Sequence, residues 1–194
     1  MALFTVACSD RQPWKDQAKR ASRADPVVAQ KVDSLLPAGE ALDRFLAGLP
    51  RTERLAGGAR TRHDLVARLL QAIEQRDSTA IEKMALSRGE YGFLYYPTSV
   101  YSRKPYELAP DIAWMLASES SAKGARRLIQ RLGGRQLALT GIHCRREHTE
   151  GSNKFWQQCE VSYRDAGVPE KKKLFHAIIE RDSDVKFLSY AGDF

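Results

Sequence analysis

Long apolar runs are missing from this chain. No stretch approaches the roughly 20 residues that a helix needs to cross a bilayer. Phosphate-loop spelling is missing too, since neither Gly57-Gly58 nor Gly133-Gly134 leads into a Lys-Ser/Thr pair. No serine sits in a nucleophile elbow. Cysteines number 3 and histidines 4, and none is spaced as a metal set. His143 and His148 lie five apart, so on a strand they point to opposite faces. No third ligand is placed to join them. No cofactor and no metal are therefore expected, and no motif identifies a reaction. Charge of one sign is also thin. Lys and Arg total 31 against 24 Asp and Glu, giving +7, but the basic residues are scattered and no nucleic-acid motif accompanies them. Nucleic acid is not the expected partner. The one basic run, Lys171-Lys172-Lys173, reads as the rim of a turn.

What is present is globular: 43% hydrophobic and 28% charged over 194 residues, enough for one ordinary domain with a tail. Residues 9–24 are polar and read as a tether. Asp25-Pro26 opens a helix to residue 36, with Val28, Val32 and Leu35 at helical spacing. A short helix follows over 38–47, and a Gly/Arg-rich connection reaches residue 60. Residues 63–76 are the most regular: Leu65, Val66, Leu69, Leu70 and Ile73 repeat at helical spacing, with Thr61 as a possible cap. Asp77-Ser78 breaks this helix and caps the next, which carries Ile81 and Met84. Pro97, Pro105 and Pro110 argue against a long element through the tyrosine-rich stretch. Asp111 heads a helix through Leu116, and a separate one runs over 121–132 to Gly133-Gly134.

The period then changes to two. Strands are expected over 137–147, 155–165, 172–181 and 185–190, joined by turns at Gly151-Ser152-Asn153, 166–170 and Asp182-Ser183-Asp184. The expectation is an α+β domain, N-terminal helices packed on a curved antiparallel sheet of about four strands. Centring the first turn between Gly151 and Ser152 pairs Cys144 with Cys159, Ile142 with Val161, Thr140 with Tyr163 and His148 with Phe155. Opposed Cα atoms about 4.5–5.5 Å apart can be bridged. A disulfide is expected, and with it an oxidising compartment. The alternative is two facing thiols in a reduced one.

Met1-Ala2-Leu3-Phe4-Thr5-Val6-Ala7-Cys8, turning polar at Ser9-Asp10-Arg11, resembles the end of a bacterial lipoprotein signal. Ala7-Cys8 fits that pattern and Thr5 departs from it. Seven residues are too few for a whole signal, so the resemblance implies a signal that begins upstream. It also implies a lipid on Cys8, attachment to a membrane and a place on the periplasmic face of a bacterial envelope. The alternative is a frayed terminus with a free Cys. The helix pair around Gln75-Arg76-Asp77-Ser78 and the ending from Asp184 to Asp193 resemble the nuclear transport factor two-like fold, the cystatin-like α+β family that includes ketosteroid isomerase. The resemblance covers residues 61–194, leaving 1–24 as signal and tether and 25–60 as a helical extension. It implies a cone-like roll, sometimes dimeric through the sheet, whose enzymes place a base and a Tyr or Asp donor at the cone mouth.

The candidate ligand or partner surface is Tyr91, Tyr95, Tyr96, Tyr101, Arg103 and Tyr106, because tyrosines pair an apolar body with a polar tip. The alternative is that they pave the helix–sheet core. His176 reads as a core-edge histidine rather than a base, and Trp114 and Trp156 as core. The expected function is binding of a small ligand or protein partner without catalysis. The alternative is an isomerase, dehydratase or hydrolase working in the cone. A cone filled with apolar side chains favours binding.

Overall fold

The computed structural model describes residues 36–190. Cys8, the tether and all but the last residue of the helix expected over 25–36 lie outside the described residues. Within them the chain is α+β, with helices preceding an antiparallel sheet. Helix α1 (Ala38–Leu46) buries Phe45. Helix α2 (Arg62–Glu74) begins where the Thr61 hydroxyl accepts from the Asp64 amide at 3.0 Å. Helix α3 (Ser78–Met84) begins with the Asp77 carboxylate accepting from the Ala80 amide at 2.9 Å. Both caps satisfy donors that a helix start leaves orphaned. A single turn, α4 (Arg88–Glu90), leads into a π-turn over Tyr91–Tyr95 and short 3₁₀ turns over Tyr96–Thr98 and Val100–Ser102.

Helix α5 (Pro110–Leu132) is continuous, not the two helices expected. Its Ser-rich middle does not break it. The Ser118 hydroxyl donates back to the Met115 carbonyl at 3.1 Å, and the Ser121 hydroxyl accepts from the Tyr190 amide at 3.3 Å. Hydroxyls satisfied in this way do not compete with the helix backbone. Pro110 occupies the first turn, and Asp111 follows it there rather than capping.

The sheet has five strands rather than about four: β1 (Leu137–Glu150), β2 (Asn153–Asp165), β3 (Val168–Lys172), β4 (Phe175–Arg181) and β5 (Asp184–Tyr190). The order is β1-β2-β4-β5, with β3 beside β2. One edge of β2 is shared. Residues 154–157 pair with β4 and residues 161–165 with β3. The segment expected as one strand over 172–181 is thus divided at residues 173–174, so that the chain can pair with two stretches of one neighbour.

The β1–β2 register holds from Glu150↔Asn153 through Cys144↔Cys159 to Gly141↔Ser162. Gly151, at φ 59°, sits at the first central position of the two-residue turn, where type II′ favours glycine. Beyond Gly141 the register slips. Leu139, not Thr140, opposes Tyr163, because a bulge adds one residue to β1. The Cys144–Cys159 disulfide lies on the unslipped side, its ends 15 positions apart in the chain.

Two apolar clusters sit on opposite faces of the sheet. One gathers Leu65, Leu69, Ile73, Leu128, Ile178 and Phe187. The other gathers Phe45, Leu86, Tyr91, Phe155, Ala113 and Ile179. Neighbours Ile178 and Ile179 therefore point into different cores, and both are fully buried. Strand β5 behaves alike, with Val185, Lys186 and Phe187 all buried. A strand covered on both faces loses the alternation of a half-exposed one. Helices α2 and α3 supply the first core, α1 and the tyrosine segment the second, and α5 contributes to both.

Candidate functional site

The tyrosine segment does not form one surface. The π-turn and the 3₁₀ turn after it aim Tyr91, Tyr95 and Tyr96 into the second core, where all three are buried. Tyr91 lies 5.2 Å from Trp114 and 5.2 Å from Tyr95 between ring centroids, and Tyr95 meets Phe155 at 5.9 Å. The Tyr96 hydroxyl donates to the Leu108 carbonyl at 2.7 Å. Burial, the largest cause, pushes the ionisation of Tyr91, Tyr95 and Tyr96 upward, so these rings stay neutral. Tyr101 and Tyr106 are exposed and meet edge to face at 6.2 Å, and Arg103 is exposed between them. Three of the six candidate residues thus take the core role weighed as the alternative, and three remain at the surface.

The segment is anchored by a feature that sequence reading missed. Glu90 and Lys186 form an ion pair at 2.7 Å with both side chains 3% exposed. The second carboxylate oxygen accepts from the Ala56 amide at 2.7 Å, and the oxygen facing Lys186 also accepts from the Ser87 amide at 2.7 Å. The Ser87 hydroxyl accepts from the Glu90 amide in return, completing a capping box. Ser87-x-x-Glu90 was the available signal. Lys186, set between Val185 and Phe187, gave none. Gly58 allows the preceding chain to close over the pair: a Cβ there would stand 2.0 Å from the Val185 carbonyl oxygen, and Ala59 and Val185 exchange backbone hydrogen bonds of 3.0 and 2.9 Å.

A cleft of about 320 Å³ opens between α3 and α5. Leu86, Trp114, Ala125, Ile129 and Tyr190 give it apolar walls, while Ser118, Ser121, Glu82 and Arg126 add polar groups. The Tyr190 hydroxyl donates to the Ile81 carbonyl at 2.6 Å, which fixes the ring in the wall. Burial raises its ionisation as well. Residues 114, 118, 121, 122 and 125 fall on one side of α5 and include the small Ser118, Ser121, Ala122 and Ala125. That stripe was the sequence signal for a recess. Trp114 is a half-buried wall residue, not a fully enclosed core one.

The histidines do not converge. His143 and His176 are exposed, so His176 is not at the core edge. His148 is half-buried, stacks on Phe155 at 5.0 Å and places Nε2 3.5 Å from Glu150. Among the described residues no three His, Cys, Asp or Glu side chains gather as a metal set. No family model, curated protein or solved structure matches the chain.

Proposed function

We propose that the chain is an exported, lipid-anchored binding domain that holds a small amphipathic ligand in the cleft between α3 and α5 without transforming it. The observation that carries this reading is the cleft itself: aromatic and aliphatic walls with serines and one arginine near them, the composition of small-molecule sites. The spaces between helices and sheet on both faces hold apolar clusters, and the buried Glu90 and Lys186 charges are paired with each other. That supports binding in a surface recess over chemistry in a polar interior. The Cys144–Cys159 disulfide supports an oxidising compartment. Ala7-Cys8 supports a lipid anchor on the periplasmic face of a bacterial envelope. The element order of a capped helix pair followed by antiparallel strands supports the nuclear transport factor two-like resemblance.

Trp114 serves as the reporter. With Trp14 and Trp156 replaced by phenylalanine, titration with decanoate is expected to change Trp114 emission saturably. Filling the recess with Ala125→Phe is expected to abolish the response. A non-saturating response, or one unchanged in Ala125→Phe, refutes the cleft. Mass measurement of the protein from its own cells checks the anchor. A diacylglyceryl group on Cys8 supports it, and an intact Met1 with unmodified Cys8 refutes it.

A further inference from the structure

A second recess, a groove of about 410 Å³, lies where the start of α2 meets β1, β2 and β4. Its floor is the Trp156 ring. The ring is fixed in plane because its indole N–H donates to Glu180 at 2.9 Å. The Arg62 guanidinium lies over this ring at 3.6 Å from its centroid, and the Lys154 ammonium at 4.3 Å. Arg60 lines the groove as well.

These three cations are not equivalent. Lys154 pairs with Glu147 at 2.6 Å, and Arg60 pairs with Asp184 at 3.1 Å. Glu180 is engaged by the indole N–H. Arg62 takes part in none of the ion pairs among the described residues. It is nevertheless half-buried and held against an aromatic face. A guanidinium stacked in this way has already lost much of its rotamer freedom, so little ordering remains to oppose binding. Its N–H groups form a planar fork suited to two oxygens of one group. Ile142 and Val185 line the groove beside it.

We propose that this groove binds an oxyanion, the phosphate or carboxylate group of a small molecule, through the Arg62 fork, with Lys154 and Arg60 supplying positive potential. The site is separate from the cleft between α3 and α5 and does not depend on it.

The test uses the full chain with Trp14 and Trp114 replaced by phenylalanine, leaving Trp156 as the only indole. Inorganic phosphate and acetate are titrated separately, with sodium chloride holding ionic strength constant. A saturable change in Trp156 emission is expected with at least one of them. Phosphate alone assigns a phosphate group, acetate alone a carboxylate, and both a general oxyanion site. Arg62→Lys keeps the charge but loses the fork, and is expected to weaken binding at least tenfold. Arg62→Ala is expected to remove it, with far-UV dichroism verifying the fold of both variants. The proposal is overturned if chloride alone gives the same response, if neither anion saturates, or if folded Arg62→Lys binds as tightly as the parent.

Discussion

Replacing Lys186 by methionine tests the buried ion pair most directly. Methionine matches the length of the lysine stem and fits a strand whose neighbours Val185 and Phe187 are both buried. What disappears is the ammonium 2.7 Å from Glu90. The carboxylate keeps two amide donors, from Ala56 and Ser87, but remains a charge at 3% exposure with no counter-ion. Breaking a buried pair on one side typically costs about 3–5 kcal/mol. Against a usual domain stability of about 5–15 kcal/mol, that is a large fraction. Glu90→Gln strands the ammonium instead and is expected to cost a similar amount. The double variant removes both charges, leaving one backbone amide without its acceptor, for a loss of about 1–3 kcal/mol. The two substitutions should therefore be strongly non-additive, with the double variant more stable than either single one. Urea denaturation followed by far-UV dichroism on the four proteins gives the coupling energy. Strict additivity, with Lys186→Met costing under about 1 kcal/mol, would mean that the pair behaves like a solvated surface contact, and the account of this core would fail.

Two further outcomes are expected. Alkylation of the folded, unreduced protein should leave Cys144 and Cys159 unmodified, and Cys144→Ala with Cys159→Ala should lower stability by roughly 3 kcal/mol, the loop-closure value for about 15 residues; two blocked thiols on the intact protein contradict it. Stability should also fall steeply at alkaline pH. Tyr91, Tyr95 and Tyr190 ionise at higher pH in the folded chain, chiefly through burial. The folded chain thus retains protons that the unfolded chain releases. Stability is fully present below about pH 10 and declines above it by about 1.4 kcal/mol per pH unit for each tyrosine. Urea midpoints between pH 9 and 11 measure this, and a flat profile contradicts the burial of these phenols.

The parts of the fold governed by local chemistry were legible in the sequence. Thr61 and Asp77 announced the starts of α2 and α3. Gly151-Ser152 fixed a register good enough to place Cys144 against Cys159. The failures have tertiary causes. The bulge at Thr140 and the division between β3 and β4 serve strand pairing, which leaves little local trace. Ser118 to Ser121 look like a helix break until the Tyr190 amide arrives to use one of the hydroxyls. In the tyrosine segment, the side chains that enter the core and those that stay outside have the same chemistry. The π-turn and the 3₁₀ turn after it separate Tyr91, Tyr95 and Tyr96 from Tyr101 and Tyr106, and Tyr91 packs there against Phe45 and Trp114. The cleft needed two helices and the end of β5 together, and its small-residue stripe on α5 spans the stretch that reads as a break between two helices.

The placement of Ile178 and Ile179 in separate cores has a consequence for the order of assembly. Strands β4 and β5 come last in the described chain, yet both cores close on them. As the polypeptide is made, α1, α2, α3 and α5 emerge with their apolar faces prepared but without β4 and β5 to cover. Domains generally fold as units during synthesis, and this unit cannot complete either core until residue 190 is available. Until then the chain is held open by its own topology, with both sets of apolar faces uncovered.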